Sequence, residues 1–260
     1  MDGRLVAFER LLNIMDELRA KCPWDKEQTN MSLRTLTIEE VYELADAVWN
    51  ENDDEIRKEL GDVLLHIVFY SKIASEKKVF DIADVINSLC DKLIFRHPHV
   101  FGNDVVNSSG EVIQKWEQLK LKENPGKSSV LGGIPGSLPA LIKALRIQEK
   151  VRGVGFDWED KVMIWDKVKE EIAEFEEKLK NNERVGAELE MGDVLFSLVN
   201  ACRLYKMNPE NVLEQSNRKF IRRFNYIEEK SKSMGKSLKD MSLQEMDQLW
   251  EEAKKFDKSA

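Results

Sequence analysis

The chain has 260 residues, of which 34% are charged and 42% hydrophobic, and only 13 glycines and 6 prolines, which favours a soluble, mostly helical protein. Its formal net charge of −8 argues against nucleic acid or an anionic membrane as a partner. Polar residues interrupt every long apolar run, so we expect neither a signal peptide nor a membrane span. Cys22, Cys90 and Cys202 are far apart and lack zinc-site spacing, which is typical of a reducing cytosol and predicts a cytoplasmic protein.

The first half of the chain contains two acidic motifs in helical patterns. EEVYE supplies Glu39, Glu40 and Glu43, and KELGDVLLHIVFY supplies Glu59 and Asp62. Residues three apart share one face of a helix, so Glu40 with Glu43, and Glu59 with Asp62, point to the same side. The second pair directly precedes a nearly continuous apolar run. A helix that must be buried therefore begins with two carboxylates on one side.

The middle of the chain has the composition of a linker. Residues 124–139, NPGKSSVLGGIPGSLP, contain half of the prolines and several glycines. This pattern predicts an N-terminal domain of residues 1–123 and a C-terminal domain of residues 140–260. The dominant period on both sides is helical and no alternating strand pattern stands out, so the predicted fold class is all-α.

The second half repeats the acidic pattern of the first. EEIAE and, after a spacer, EMGD supply five carboxylates, each 131 residues after its N-terminal equivalent: Glu170, Glu171, Glu174, Glu190 and Asp193. The segments GDVLLHIV and GDVLFSLV match after each motif, and KLIFR is echoed by KFIRR. The protein is predicted to be a tandem duplication, each copy of which carries the same acidic constellation.

The acidic constellation predicts a metal site. Four carboxylates of each copy are expected to converge where two antiparallel helices meet, and such a cluster is unfavourable without a cation. An all-oxygen ligand set suits a hard ion, Mg²⁺ or Mn²⁺, with positions left for water and phosphate. A single EExxE in so charged a chain is usually a solvated helix face. Five positions that keep their spacing through a duplication favour the metal site instead.

The sequence lacks the motifs of other metal-binding and phosphate-binding sites. A di-iron carboxylate bundle needs Glu-x-x-His, which none of the three histidines completes. The EF-hand loop and the GxxxxGK[ST] phosphate loop are also absent. A glycosidase with two carboxylates remains an open alternative, although four acids on paired helices fit a metal better.

A basic patch follows in the second copy. Lys219, Arg222 and Arg223 share one helix face, and such a patch near the acids would grip phosphate oxygens. The alternative is an ordinary helix surface whose charges are balanced by Glu228 and Glu229. Carboxylates that suit a hard metal ion, together with a basic patch, suggest chemistry at a phosphoanhydride bond.

The ordered set of motifs closely resembles the MazG family of nucleoside triphosphate pyrophosphohydrolases. The duplicated EExxE and ExxD carry the resemblance, with CPWDKEQT at 22–29, RHPHVFG at 96–102 and GFDW at 155–158, so that it covers nearly the whole chain. It implies an all-α fold similar to dimeric dUTPase-like enzymes, in which two subunits form four-helix bundles. It also implies Mg²⁺-dependent hydrolysis of an NTP or dNTP to the monophosphate and pyrophosphate.

The resemblance further implies roles for residues of the C-terminal copy. Glu171, Glu174, Glu190 and Asp193 would bind the metal, and Glu170 would orient or deprotonate the attacking water. The nucleotide would be contacted by Lys167, Glu170, Glu171, Gly186, Glu188, Leu189, Asp193, Lys219, Arg222, Arg223 and Trp250. Trp250 shares an apolar stripe with Leu243, Met246 and Ala253, which favours a place in the core.

The two copies differ at polar positions. Asn200 is a further candidate for contact with a sugar or phosphate, but its N-terminal equivalent is Phe69, and Phe95 replaces Arg222. The N-terminal copy keeps four candidate metal ligands, Glu40, Glu43, Glu59 and Asp62. Its catalytic candidates are Glu39 and Glu40. Its basic patch is reduced to Lys92 and Arg96. We therefore expect the C-terminal copy to be the main catalyst.

Two non-enzymatic alternatives stay open. The acids could form a module that binds metal and nucleotide without turnover, or they could be surface charges of a structural helical dimer. An extra acid beside each ligand set, Glu39 and Glu170, favours an enzyme that handles water. Two-helix units would leave apolar faces uncovered, which predicts a homodimer. The family expectation is broad use of NTPs and dNTPs in nucleotide-pool housecleaning.

Overall fold

The computed structural model describes residues 2–104, 106, 108, 111–112, 115, 119, 129–157 and 161–256. Every regular element in these ranges is a helix, so the predicted all-α class is confirmed. The α-helices are α1 (Gly3–Lys21), α2 (Pro23–Glu27), α3 (Asn30–Trp49), α4 (Asp53–Glu76), α5 (Ile82–Arg96), α6 (Pro98–Phe101), α7 (Ala140–Arg152), α8 (Lys161–Lys180), α9 (Arg184–Leu204), α10 (Pro209–Ser233) and α11 (Leu243–Phe256). A 3₁₀ turn, Leu238–Asp240, precedes α11.

The chain divides into two compact units, residues 1–116 and 117–260. The expected domains of residues 1–123 and 140–260 remain a prediction, because part of the expected linker, residues 124–128, lies outside the described residues. The described remainder of that linker, residues 129–139, contains turns and leads into α7.

In the N-terminal unit, α3 and α4 form a helical hairpin with a three-residue connection. Asn52 caps α4, because its side chain accepts a hydrogen bond from the backbone N–H of Glu55 at 3.3 Å. Met15 of α1 and Leu33 of α3 pack with Val68, Phe69 and Ile73 of α4 in the core. This packing fixes the hairpin that carries the first acidic constellation.

In the C-terminal unit, α8 and α9 form the equivalent hairpin. Its connection contains Asn182 with φ of 57°, and the N-terminal connection has Glu51 with φ of 51° at the equivalent position. A left-handed residue at this point reverses the chain in both hairpins. Downstream, α10 and α11 pack around a second cluster of buried residues, Ile227, Met241 and Leu249. The duplication thus extends to the backbone of the turn.

Both hairpins expose an apolar face. Leu60 and Leu64 of α4 are 53% and 37% exposed, and their equivalents on α9, Met191 and Leu195, are 38% and 52% exposed. Further exposed pairs at equivalent positions are Val41 with Ile172 and Ile67 with Leu198. The same face is therefore left uncovered in each copy.

None of the described helices is long and apolar enough to cross a membrane.

Candidate metal centre

The N-terminal hairpin brings three carboxylates together. Glu40 and Glu43 lie one turn apart on α3, and Glu59 lies near the start of α4. One oxygen of each side chain lies within 4.8 Å of the others. The short connection makes this possible, because it returns α4 alongside the acidic end of α3.

The C-terminal hairpin repeats the arrangement at the equivalent positions. Glu171 and Glu174 lie on α8 and Glu190 on α9, again with one oxygen of each within 4.8 Å of the others. In the described part of the chain, these two clusters are the groups of three acids that could hold a metal ion. Spacing along the sequence thus becomes proximity in space in both copies.

The fourth predicted ligand of each copy lies outside these groups. Asp62 and Asp193 follow one turn after Glu59 and Glu190, and neither contributes an atom to the three-acid cluster. Asp62 is nevertheless close enough to raise the pKa of Glu40 through its charge. The predicted roles of both aspartates as ligands remain predictions.

Burial and mutual repulsion raise the pKa of one acid in each cluster. The pKa of Glu40 is raised by burial and by the charges of Asp62, Glu43 and Glu59, against a smaller opposing effect of His66. The pKa of Glu174 is raised by burial and by Glu171, Glu190 and Glu170, while Lys167 opposes the shift. Each cluster therefore holds more negative charge than its own surroundings neutralise.

The donor set fits a hard divalent cation. All three ligand candidates of each cluster are carboxylates, and Oε2 of Glu59 is buried without a hydrogen-bond partner. A buried carboxylate oxygen without a partner costs free energy, which a bound cation would recover. Oxygen ligands are those that Mg²⁺ and Mn²⁺ prefer.

Lys167 directly contacts the C-terminal acids. Its Nζ lies 2.8 Å from Oε1 of Glu170 and 2.7 Å from Oε1 of Glu171. These two contacts raise the pKa of Lys167, so its ammonium stays charged at neutral pH. Glu170 itself is exposed, as is its equivalent Glu39, so that water can reach both carboxylates.

Three further candidates lie in the first turns of α9. A Cβ atom at Gly186 would lie 3.1 Å from Cδ of Lys178, so this position allows the close approach of the lysine stem. Glu188 forms an exposed ion pair with Arg184 at 3.3 Å, and Leu189 is 67% exposed. These residues lie at the same end of the hairpin as Glu190, and their contacts with nucleotide remain predictions.

The predicted basic patch lies on α10. The guanidinium of Arg223 lies 5.3 Å from the ring centre of Trp250, whose ring is 5.0 Å from that of Phe220. Trp250 also packs against the buried cluster of Ile227, Met241 and Leu249. Arg222 and Arg223 line a groove between α10 and α11. Trp250 is thus partly buried at the edge of this cluster, and its contact with nucleotide remains a prediction.

The N-terminal basic residues lie on α5. Lys92 is exposed and Arg96 lies in the last turn of this helix. Their roles at a nucleotide stay predictions.

Two polar networks were missed by the sequence analysis. In the N-terminal unit, the hydroxyl of Thr37 lies 3.0 Å from Nδ1 of His66 and 2.7 Å from the hydroxyl of Tyr70. In the C-terminal unit, Arg203 pairs with Asp157 through two hydrogen bonds, one of them at 3.2 Å. His66 lies within KELGDVLLHIVFY and Asp157 within GFDW, but the sequence assigns neither residue a role. Their partners lie 29 to 46 residues away, beyond the reach of helical spacing.

Comparison with known proteins agrees with this geometry. The family model of the MazG nucleotide pyrophosphohydrolase domain matches twice, over residues 28–101 and 162–227, so each match contains one acidic cluster and the predicted tandem arrangement is confirmed.

Similar proteins cover almost the whole chain. It is 43% identical to the nucleoside triphosphate pyrophosphohydrolase/pyrophosphatase MazG of Thermotoga maritima, over 98% of both chains. It is 41% identical to the nucleoside triphosphate pyrophosphohydrolase of Escherichia coli K12, over 95% of this chain and 97% of that one. The uncharacterized protein YabN of Bacillus subtilis is 45% identical over 96% of this chain and 52% of its own length. The chain therefore belongs to the MazG family.

Proposed function

We propose that the protein hydrolyses nucleoside triphosphates to the monophosphate and pyrophosphate with the help of Mg²⁺, for which Mn²⁺ can substitute. The observation that carries this proposal is the meeting of three carboxylates from two helices within 4.8 Å in each copy. The names of the relatives from Thermotoga maritima and Escherichia coli support the same reaction. Broad use of NTPs and dNTPs in the cytoplasm, in nucleotide-pool housecleaning, is part of the proposal.

In the C-terminal copy, Glu171, Glu174 and Glu190 would hold the metal together with Asp193. A bound divalent ion supplies charge neutralisation at the phosphates and makes a water molecule easier to deprotonate. Glu170 is exposed beside the cluster, so its carboxylate can orient the attacking water and accept its proton. Attack at the α-phosphorus breaks the bond to the β-phosphate and releases pyrophosphate.

Cations of the chain would hold the triphosphate. Lys167 already lies at the acids and stays charged, so it is well placed for the phosphate nearest the metal. Lys219, Arg222 and Arg223 supply further charge from α10, where guanidinium groups suit phosphate oxygens. Asn200 is a weaker candidate, because it is only 2% exposed and its Oδ1 already accepts a hydrogen bond.

The N-terminal copy would bind metal with less catalytic power. It keeps the cluster of Glu40, Glu43 and Glu59, but Phe69 and Phe95 stand where the other copy has Asn200 and Arg222. We propose that the C-terminal copy is the main catalyst.

We also propose that the protein is a homodimer. Each hairpin exposes an apolar face at equivalent positions, exemplified by Leu60, Leu64, Met191 and Leu195. Burying such faces against a second copy would complete a four-helix bundle from two hairpins. Sedimentation equilibrium tests this, and Leu64→Glu should shift the molecular mass towards that of a monomer.

A panel of NTPs and dNTPs with product identification tests the reaction. Incubation with Mg²⁺ should yield the monophosphate and pyrophosphate in equal amounts, and EDTA should abolish their release. Diphosphate and orthophosphate as products would overturn the proposed bond cleavage. Tight binding of Mg²⁺ and nucleotide without any product would instead identify a non-catalytic binding module.

A further inference from the structure

Each cluster contains one deeply buried carboxylate that is paired with a lysine. Glu59 is 3% exposed, and its Oε1 accepts a hydrogen bond from Nζ of Lys58 at 2.8 Å. Glu171 is 7% exposed, and its Oε1 lies 2.7 Å from Nζ of Lys167. The same pairing of an ammonium with the buried acid thus occurs in both copies.

The two lysines come from different positions of the duplicated unit. Lys58 lies on the second helix of its hairpin, and its equivalent in the other copy is Leu189. Lys167 lies on the first helix of its hairpin, and its equivalent is Leu36. Lysine and leucine are therefore exchanged reciprocally between the copies. The shared feature is an ammonium at the buried carboxylate, whichever helix supplies it.

The pairing in the N-terminal cluster is incomplete. Lys58 satisfies one oxygen of Glu59, while Oε2 remains buried without a partner. An ammonium donates to only one side of the carboxylate here, so the site retains a position for a second cation.

The ammonium of Lys58 can leave the carboxylate at small cost. Its side chain is 62% exposed, and Nζ also lies 4.0 Å from Oε2 of Glu55, an exposed alternative partner. A lysine carries its charge on a flexible stem and is well hydrated, so moving between these partners needs no change of the helix.

We propose that Lys58 is an exchangeable counter-cation of the N-terminal site, which neutralises Glu59 until a divalent ion replaces it and then turns to the phosphates of the bound nucleotide. This inference rests on the proposed function, because it assumes that the cluster binds a metal and a nucleotide. It makes Lys58 the functional counterpart of Lys167, although the two positions are not equivalent.

The exchange predicts opposite effects on two affinities. The ammonium and the divalent ion compete for the same carboxylate and repel each other, so removing Lys58 should tighten metal binding. The same removal should weaken binding of the negatively charged nucleotide. A residue that only supports the local structure would weaken both.

The test uses the full-length chain with Glu171→Gln and Glu174→Gln, which leaves the N-terminal cluster as the intact one. In this background, Lys58→Leu introduces the residue that the other copy has at this position. We expect Mn²⁺ to bind about threefold to fivefold more tightly by calorimetry, the upper part of the range for one partly exposed charge pair. A non-hydrolysable Mg²⁺–nucleotide analogue should bind more weakly by a similar factor.

Two further variants sharpen the experiment. Arg57→Leu removes a neighbouring exposed cation that pairs with Asp54 at 3.1 Å, and it should leave both affinities within about twofold. The double change Leu36→Lys and Lys58→Leu recreates the arrangement of the other copy and should restore both affinities. Equal loss of both affinities, no change in either, or no metal binding by the background would overturn the inference.

Failure of the proposed reaction can be told apart from failure of this inference. The reaction is assayed by pyrophosphate release from the unchanged chain, whereas the inference is read from binding alone. Opposite shifts of the two affinities in a chain that releases no pyrophosphate would support the exchange and refute the hydrolysis.

Discussion

Phe69 and Asn200 occupy equivalent positions of the two units, and each contacts an arginine whose side chain is largely covered. The guanidinium of Arg19 lies 5.6 Å from the ring centre of Phe69, and Nε of Arg203 donates to Oδ1 of Asn200 at 2.9 Å. Both arginines also anchor the segment that precedes the acid-bearing helix. Arg19 donates to the carbonyls of residues 25 and 28, and Arg203 pairs with Asp157.

This relationship gives the two motifs CPWDKEQT and GFDW a structural role. Each motif lies ahead of the first helix of its hairpin and is fastened by an arginine from another helix of the same unit. An aromatic ring supports the arginine in one unit and an amide does so in the other. The residue at position 69 or 200 therefore holds the arginine in place in both copies, although one residue is a phenylalanine and the other an asparagine.

Asn200→Ala should consequently lower the free energy of unfolding. The substitution leaves Nε of Arg203 without its partner in a place where the arginine side chain is only 8% exposed. An unsatisfied buried donor typically costs about 1–3 kcal/mol. Urea unfolding measures this loss, and Asn217→Ala on exposed α10 should change the free energy by less than about 0.5 kcal/mol. Unchanged stability with weaker nucleotide binding would instead favour the predicted contact with sugar or phosphate.

The members of the acidic clusters could be predicted because the acids of each motif lie within one helical turn of each other. Helical spacing places Glu40 with Glu43 on one face, and the exact repeat excludes a chance arrangement. Which acid of each cluster is buried could not be predicted. Glu59 on the second helix and Glu171 on the first are not equivalent, because burial depends on how neighbouring side chains cover the hairpin.

The apolar stripes were predicted less completely. The helix of KELGDVLLHIVFY was expected to be buried, but Leu60, Leu64 and Ile67 are at least 37% exposed, while Val68 is buried in the core. A sequence pattern shows which residues are apolar, and it does not show which of two apolar faces finds a partner within its own unit. The pair of Arg203 with Asp157 was missed because the two residues lie 46 positions apart, beyond the spacing that a helical pattern relates.

Glu174→Gln should reduce pyrophosphate release more than Glu43→Gln. The two glutamates are equivalent members of the clusters, and the C-terminal copy has Arg222 where the N-terminal copy has Phe95. Loss of a metal ligand should cost about 100-fold in rate, since even partners of ligands cost 10–100-fold. Initial rates at saturating Mg²⁺ measure the effect. A larger loss in Glu43→Gln would assign the main activity to the N-terminal copy.

The same Glu174→Gln substitution should stabilise the metal-free protein at neutral pH. The pKa of Glu174 is raised in the folded protein, so the folded state binds its proton more tightly than the unfolded state does. The contribution of this group to stability therefore falls as pH rises above its ordinary pKa of 4.5. Thermal unfolding in EDTA should show a gain for the variant at pH 7 that disappears below pH 4.5.

Added Mg²⁺ supplies the control for this pH effect. The ion neutralises the charges that raise the pKa of Glu174, so it should stabilise the unchanged protein more than the variant. An equal shift of the melting temperature in both proteins would show that the ion does not bind at this cluster.

Arg222→Ala and Arg223→Ala should both weaken nucleotide binding, but they should differ in their effect on the free energy of unfolding. Arg222 is expected to act on the triphosphate, so its loss should weaken binding of a non-hydrolysable nucleotide by about tenfold. Arg223 also stacks on Trp250 at 5.3 Å, and its loss should additionally cost about 0.5–1 kcal/mol of stability. Calorimetry and urea unfolding measure the two effects. Unchanged nucleotide affinity in both variants would remove the predicted phosphate contact.

Glu245→Gln should destabilise the protein at neutral pH, and the effect should shrink to a small fraction as pH falls to 2. Glu245 completes a capping box at the start of α11, where its Oε2 accepts a hydrogen bond from the backbone N–H of Ser242 at 2.8 Å. Nζ of Lys236 lies 2.6 Å from Oε1, and these contacts lower the pKa of Glu245 from 4.5 to about 2.

The direction of the pH dependence follows from this lowered pKa. The stabilising effect of the charge is fully present above pH 4.5 and is lost as pH falls through 2, where the carboxyl group is protonated in the unfolded state and about half protonated in the folded state. Glutamine keeps the shape of the capping box but lacks the charge, so the difference between variant and unchanged protein should shrink over this window. Urea unfolding from pH 2 to pH 7 tests it, with Glu251→Gln of the same helix as a matched control whose exposed pair with Lys254 contributes little. A difference that stays constant with pH would show that the hydrogen bonds of Glu245, and not its charge, stabilise the start of α11.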